Sequence, residues 1–84
     1  RPPPAPKPAS RPSPGRLARE VSRLEARIAE LEAELGRVEA DLVDPEVLGD
    51  HHRLAERGER HRELQEELAW LMREWESRAA ALTS

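Results

Sequence analysis

The amino-acid sequence predicts an all-α fold, an antiparallel two-helix coiled-coil hairpin preceded by a disordered, proline-rich linker. Three observations support this fold class. Charged residues make up 37% of the 84 residues and aromatic residues only 2%, which is too polar a composition for a compact two-layer domain. Apolar residues recur at the alternating three- and four-residue spacing of a coiled coil. A single Asp-Pro step divides this pattern into two long segments.

The first 15 residues differ in composition from the rest of the chain. Seven of the eight prolines lie between Pro2 and Pro14. Because proline fixes its own φ and pushes the preceding residue away from helical geometry, residues 1–15 are expected to form an extended, disordered linker. PxxP spacings such as Pro3 with Pro6 also occur in SH3 ligands, although a tether is the commoner role of such a segment.

Charge is distributed unevenly along the chain. Residues 1–16 carry four basic side chains and no acid, whereas residues 17–84 carry all 17 acids and the other ten basic side chains. The formal net charge of −3 therefore combines a basic N-terminal segment of +4 with an acidic body of −7. Basic segments of this kind are suited to contacts with phosphates.

The first helix is expected over residues 16–43. Its apolar residues form an unbroken heptad seam, with spacings of 4, 3, 4, 3, 4, 3 and 4. Asp44-Pro45 ends the helix, because proline cannot continue it and aspartate suits the cap of a following helix. Residues 44–50 are expected to form a turn, with or without one helical turn inside it, where Val47 and Leu48 cover the end of the core. The seam residues are Leu17, Val21, Leu24, Ile28, Leu31, Leu35, Val38 and Leu42.

The second helix is expected over residues 51–82, and its seam is polar near the turn and apolar near the chain ends. Polar seam residues are expected to weaken the hairpin and to disfavour parallel zippering. The seam residues are Leu54, Arg57, His61, Leu64, Leu68, Leu71, Trp75, Arg78 and Leu82.

Charged residues beside the two seams predict how the helices align. A short turn makes the helices antiparallel, so flanking positions with numbers that sum to 94 face each other. Exposed ion pairs contribute only about 0.2–1 kcal/mol each, so they specify alignment more than stability. An alignment shifted by one heptad, which pairs Asp41 with Arg60, stays open. The expected pairs are Asp41–Arg53, Glu34–Arg60 and Arg27–Glu67, which attract, and Glu20–Glu74, which repels.

The sequence contains none of the motifs of an independent enzyme. It has no P-loop, Rossmann glycine fingerprint, nucleophile elbow or HExxH motif, and it has no cysteine for disulfides or zinc sites. His52 and Glu56 have the spacing of ligands on one helix face, with His51 and Glu59 nearby. Solvated surface is the simpler interpretation of these side chains, because zinc needs three or four convergent ligands. No catalytic, cofactor-binding or metal-binding residue is predicted.

Arginines are the candidate contacts for nucleic acid. Arg53, Arg57 and Arg60 share one face of the second helix, and the guanidinium group suits the geometry of phosphate. Arg53 and Arg60 also have carboxylate partners across the hairpin, which accounts for them equally well. With the basic linker included, the candidate nucleic-acid-binding residues are Lys7, Arg11, Arg16, Arg53, Arg57, Arg60 and Arg62.

The two tryptophans have different predicted positions. Trp75 falls in the seam, so core packing is its expected role. Trp70 falls at an outward position and is available for stacking or docking.

Three segments of the hairpin carry a resemblance to a known family. They are the heptad segment Leu24–Leu35, the turn Asp44–Leu48 and the closing Glu74-Trp75-Glu76. Behind a proline-rich basic linker, they resemble the C-terminal domain of the ABC-F ATPases, particularly the Uup-like branch. The chain departs from that pattern at Met72, where the family commonly has an aromatic residue. It also departs at residues 51–53, His-His-Arg, where acidic residues often follow the turn.

The resemblance implies that two ATP-binding cassettes precede this fragment in a longer protein, which is an ATPase that uses ATP and Mg²⁺. The fragment itself holds no cassette residue and needs no cofactor. The resemblance further implies an accessory arm that binds DNA, including branched forms, or ribosomal RNA in ribosome-associated work. The tRNA-contacting arm of valyl-tRNA synthetase is a second resemblance, which shares the hairpin but fits the linker and the tryptophan less well.

The sequence leads to one hypothesis and two rivals. The hypothesis is a monomeric, cytoplasmic hairpin without membrane contact, which serves as the nucleic-acid-binding arm of an ABC-F ATPase. The first rival is a structural or protein-interaction coiled coil that docks on its own ATPase domains or a partner through Trp70 and Met72. The second rival is a self-associating coiled coil, since a hairpin of this size has a thin core.

Overall fold

The computed structural model describes residues 13–84, which form three α-helices in a hairpin. The first helix, α1, spans Pro14–Leu42, α2 spans Pro45–Leu48 and α3 spans His51–Thr83. Helices α1 and α3 pack antiparallel, and α2 contacts both at the turn. The predicted all-α fold class is therefore confirmed for these residues. Most of the predicted linker, residues 1–12, lies outside the described range. None of the described helices combines the length and apolar character that crossing a membrane requires.

Helix α1 begins two residues earlier than the sequence predicted. Pro14 and Gly15, which the prediction assigned to the linker, are helical. Ser13 is the N-cap, and its Oγ accepts a hydrogen bond from the Arg16 N–H at 3.2 Å. Proline is favoured in the first turn of a helix, because the N–H that it lacks has no intrahelical acceptor there. Pro14 therefore starts α1 rather than ending the linker.

Two aspartates cap the helices at the turn. Asp44 Oδ1 accepts a hydrogen bond from the Glu46 N–H at 2.9 Å at the start of α2. Asp50 Oδ1 accepts hydrogen bonds from the His52 and Arg53 N–H groups at 3.0 and 3.1 Å at the start of α3. An N-cap of this type is worth about 0.5–2 kcal/mol. The turn is therefore an ordered helical turn with a cap on each side.

A single side chain of α2 closes the core. Val47 is 1% exposed, whereas Leu48, which the sequence predicted to share this role, is 51% exposed. Consecutive residues of a helix point about 100° apart, so a single-turn helix directs only one of the two side chains at the core. The prediction for Leu48 was therefore wrong.

The core is a narrow apolar strip between α1 and α3. Leu64 is fully buried, and Leu31 and Val38 are almost fully buried. Burying a side chain of this size contributes about 1.5–3 kcal/mol, so a few residues supply most of the apolar stabilisation. The buried cluster consists of Ile28, Leu31, Val38, Leu64 and Leu71, with Leu24, Leu35, Leu42, Leu68 and Trp75 packed against it.

Interhelical ion pairs fix the alignment of α1 against α3. Arg60 donates two hydrogen bonds to Glu34, from Nε to Oε2 at 2.6 Å and from Nη2 to Oε1 at 2.9 Å. Arg27 Nη2 lies 3.2 Å from Glu67 Oε1. Both pairs were predicted. The alignment shifted by one heptad is excluded, because it would place Arg60 beside Asp41.

The expected pair between Asp41 and Arg53 is replaced by another. Arg57 Nη1 lies 3.8 Å from Asp41 Oδ2. The guanidinium group of Arg53 is exposed, and no carboxylate of residues 13–84 lies within 4.0 Å of it. Arg57 occupies a seam position between the helices, so its long side chain extends from the helix interface to Asp41. The predicted pairing of Asp41 with Arg53 was therefore wrong.

The polar seam residues of α3 add contacts between the helices. Arg78 lies 3.1 Å from Glu20 and 3.0 Å from Glu74, so it neutralises the repulsion predicted between these two acids. Each polar seam residue therefore contacts an acid of α1, in the pairs Arg57–Asp41, His61–Glu39 and Arg78–Glu20.

Replacement of Leu64 by alanine is expected to destabilise the hairpin by about 2–5 kcal/mol, because it opens a cavity in the fully buried strip. Urea unfolding followed by far-ultraviolet circular dichroism measures the change. The control is Leu82→Ala, at a seam position that is 38% exposed, where a loss below about 1 kcal/mol is expected. Equal losses in the two variants would contradict this description of the core.

Replacement of Glu34 by glutamine is expected to reduce the acid sensitivity of the hairpin. The hydrogen bonds from Arg60 hold the pKa of Glu34 below its ordinary value. A carboxyl group with a lower pKa in the folded state stabilises the fold above its unfolded pKa, about 4.3 for glutamate. That contribution is lost as the pH falls through the folded pKa. Glu34→Gln should therefore lower Tm at pH 7 and make the decline of Tm below about pH 5 shallower.

The matched control for this experiment is Glu59→Gln. Glu59 lies in an exposed pair with Arg62, with 3.8 Å between Nη1 and Oε2. For this variant, Tm should decline below about pH 5 as steeply as it does for the unmodified protein. If Tm of Glu34→Gln also fell as steeply with decreasing pH as that of the unmodified protein, the Glu34–Arg60 pair would not contribute to the pH dependence of stability.

Candidate functional site

Charge divides the hairpin into two segments of opposite sign. Residues 13–24 and 70–84 are called the base segment, since they lie where α1 begins and α3 ends, and residues 25–69 are called the distal segment. The base segment carries five arginines and three glutamates, a net charge of +2. The distal segment carries six arginines and fourteen acids, a net charge of −8. Attraction for an anionic partner is therefore concentrated at the base segment.

Two of the arginines that were predicted to contact nucleic acid form ion pairs within the hairpin. Arg60 is held by Glu34, and this hydrogen bonding raises the pKa of the guanidinium group above its ordinary value. Arg57 lies between Asp41 and Glu56, with 3.1 Å between its Nη2 and Glu56 Oε1. Their charges are largely neutralised by these carboxylates. The structure therefore gives both arginines a role in joining α1 to α3.

The other two predicted contacts of α3 face different sides. Arg53 is exposed, its backbone N–H donates to the Asp50 cap, and its guanidinium group has no hydrogen-bond partner among residues 13–84. Arg62 is exposed, with Nη1 3.8 Å from Glu59 Oε2. Nine residues turn a helix through about 900°, so Arg53 and Arg62 point in opposite directions. The structure therefore does not bring the four predicted arginines of α3 onto one surface.

The predicted contact Arg16 lies at the opposite end of the hairpin. Arg16 is exposed in the first turn of α1, and its Nε lies 3.3 Å from Glu20 Oε1. Lys7 and Arg11 lie outside the described residues. Arg16 therefore belongs to the base segment, which has the same sign of charge as the N-terminal residues before it.

The base segment contains three exposed arginines that were not predicted as contacts, Arg19, Arg23 and Arg73. No carboxylate of residues 13–84 lies within 4.0 Å of their guanidinium groups. The sequence did contain a signal for Arg19 and Arg23. Together with Arg16, they are spaced by three and four residues and so form one stripe on α1. Arg78 differs, since hydrogen bonds to Glu74 and Glu20 raise its pKa and hold it between the helices.

The aromatic residues of α3 lie in different environments. Trp75 packs against the core cluster, and its Nε1–H donates a hydrogen bond to Glu25 Oε2 at 3.3 Å. Trp70 is 53% exposed, and Arg73 follows it by three residues on the same helix face. Met72, which is 40% exposed, lies on another flank. There it lines a shallow cavity of about 250 Å³ with Glu25, Ile28, Glu32 and Trp75.

Among residues 13–84, no group of three histidine, aspartate or glutamate side chains converges in a way that could hold a metal ion. His51 and His52, which were considered as ligands, are exposed at the start of α3. The described surface therefore offers a partner guanidinium groups, carboxylates, the indole of Trp70 and a few exposed aliphatic side chains such as Met72.

Comparison with known proteins identifies the family. The family model described as the ABC transporter C-terminal domain matches residues 16–77, which cover the turn and most of α1 and α3. No curated protein and no solved structure matches the chain significantly. Because the family model covers more than half of the chain, this protein belongs to the ABC transporter C-terminal domain family, and its hairpin is an accessory domain of an ABC protein.

Proposed function

We propose that the hairpin is the nucleic-acid-binding C-terminal domain of a cytoplasmic ABC-F ATPase of the Uup-like branch. The observation that carries this proposal is the arginine stripe of the base segment. Arg16, Arg19 and Arg23 lie in line on α1. Glu20, the one acid among residues 1–23, is contacted by Arg16 and Arg78. The stripe follows the basic N-terminal residues in the sequence and lies next to an acidic distal segment. The donors of an arginine side chain match the geometry of a phosphate group bidentately.

Ion pairing within the hairpin determines which arginines contribute most to the proposed binding of nucleic acid. Arg19 and Arg23 have no carboxylate within 4.0 Å among the described residues, so their N–H donors are available to a ligand. Arg53 and Arg62 are exposed as well, but they lie in the segment of net charge −8. Arg57 and Arg60 are expected to contribute least. The main contact is therefore proposed at the base segment, with secondary contacts near the turn.

The proposal includes the expected strength of binding. Five basic side chains that each neutralise one phosphate give a salt slope of about −4.5 for duplex DNA. A fourfold rise in salt should then weaken binding by about 10²–10³-fold. DNA, including branched forms, and ribosomal RNA are both proposed targets. In the whole protein, cassettes outside this chain would bind ATP and Mg²⁺ and hydrolyse the nucleotide.

A second candidate function is docking on the protein's own ATPase domains or on a partner. Trp70 and Met72 support it, because both are large apolar side chains with substantial exposure. They lie on different flanks, however, so one flat partner surface cannot cover both. The family match favours either function within an ABC protein over the resemblance to the arm of valyl-tRNA synthetase.

Substitution of the arginine stripe tests the proposed function. The triple variant Arg16→Gln, Arg19→Gln, Arg23→Gln is expected to bind labelled duplex, branched DNA and RNA at least about tenfold more weakly at 50 mM salt. Its salt slope should fall by about 3, because three phosphate contacts are lost. Fluorescence anisotropy at several salt concentrations gives both quantities.

The matched control is the triple variant Arg37→Gln, Arg53→Gln, Arg62→Gln, which removes the same charge from exposed positions of the distal segment. We expect it to weaken binding less than about threefold. Equal weakening by both triple variants would show that net charge, and not the stripe, determines binding. If the unmodified chain binds no nucleic acid at 50 mM salt, the proposed function is wrong and docking on the ATPase domains replaces it.

A further inference from the structure

We propose that Trp70 is a stacking platform for an unpaired base, so that the preferred ligand of the base segment is nucleic acid with a single-stranded section. This inference rests on the proposed function and specifies its substrate class. Trp70 exposes 53% of its surface on the outer side of α3. An exposed indole next to cations is the combination that proteins use to bind single strands.

The Arg27–Glu67 contact places Trp70 at the level of the arginine stripe. Arg23 lies four residues before Arg27 on α1, and Trp70 lies three residues after Glu67 on α3. At a rise of 1.5 Å per residue, the two residues are about 6 and 4.5 Å from the contact, both towards the base segment. Arg23 and Trp70 are therefore at nearly the same level along the hairpin.

The same contact places them on one flank. Residues three or four apart are neighbours on a helix surface, so Arg23 lies on the side of α1 that carries Arg27. By the same rule, Trp70 lies on the side of α3 that carries Glu67. Arg73 extends this surface three residues beyond Trp70 and is exposed. The indole therefore has one arginine across the hairpin and another along its own helix.

The acids near Trp70 define where a strand can run. Glu67 and Glu74, three residues before and four residues after Trp70, are contacted by Arg27 and Arg78, at 3.2 and 3.0 Å. Glu66, four residues before Trp70, has no cation within 4.0 Å among the described residues. Phosphates are therefore repelled on the distal side of the indole and attracted on the side of Arg73 and Arg19. A strand that stacks on Trp70 should run towards the base segment.

Stacking selects for unpaired bases. Bases within a duplex are paired and stacked on each other, so an indole cannot reach their faces. The exposed Met72 does not offer an equivalent site, because it lies beside Glu25 and Glu32, which repel phosphates. The surface of Trp70, Arg23 and Arg73 thus favours a single strand or a duplex with an unpaired extension over a continuous duplex.

The test uses the full 84-residue chain and three fluorescein-labelled DNA probes, a single strand, a blunt duplex and a duplex with a ten-nucleotide overhang. Trp70→Ala is expected to weaken binding to the single strand and the overhang by about 5–150-fold. Binding to the blunt duplex should change less than twofold. Trp70→Phe should restore most of the loss because it keeps an aromatic face, whereas Trp70→Leu should not.

The other results separate this inference from the proposed function. Equal effects of Trp70→Ala on all three probes, while the arginine-stripe variant loses binding, would overturn the stacking role and leave the proposed function intact. Absence of binding to any probe by the unmodified chain would overturn both. If Trp70→Ala keeps full affinity for all probes but loses binding to the ATPase domains, Trp70 is a protein contact and the inference is wrong.

Discussion

The bidentate pair between Glu34 and Arg60 determines which residues of α1 and α3 meet. Apolar seams repeat every seven residues, so sliding one helix by a heptad exchanges one set of leucine contacts for a similar set. Burial therefore distinguishes poorly between alignments. The charges distinguish them better, because a shift of one heptad would still give Arg60 a carboxylate, Asp41, but would place Glu34 opposite Glu67. The Arg27–Glu67 contact and the level of Trp70 beside Arg23 follow from this alignment. The candidate site at the base segment thus depends on a pair that lies outside it.

Pairing within the hairpin also sorts its arginines into two kinds. Near the turn, the arginines at positions 57 and 60 bind acids of the neighbouring helix and join the hairpin together. Near the base, Arg19, Arg23 and Arg73 have no such partners among the described residues. The same type of side chain therefore joins the helices where it has an acid partner and remains available to a ligand where it has none. Polar residues in the seam contribute to this division, because each one contacts an acid of α1 and does not lie unpaired among leucines.

The helices could be predicted, and their alignment could be narrowed to two choices one heptad apart, because both rest on periodic signals. Heptad spacing identified the two seams, and charges at facing positions identified Glu34–Arg60. The partner of Asp41 could not be predicted, because the choice between Arg53 and Arg57 depends on where a long side chain reaches from a seam position. The positive charge of the base segment was missed for a different reason. The charges of residues 16–23 and 70–84 are far apart in sequence, and only the folded hairpin joins them into one end of positive charge.

The opposite charges of the two segments have a kinetic consequence. A rod with +2 at one end and −8 along the rest has a large permanent dipole, and the field of a polyanion turns such a rod before contact. The base segment of the hairpin would usually make the first contact, so a larger fraction of collisions would occur in a productive orientation. Added salt would then slow association more than it speeds dissociation, because screening acts on the approach at long range. Residence time would instead depend on short-range contacts, and the two rates could be adjusted by different residues.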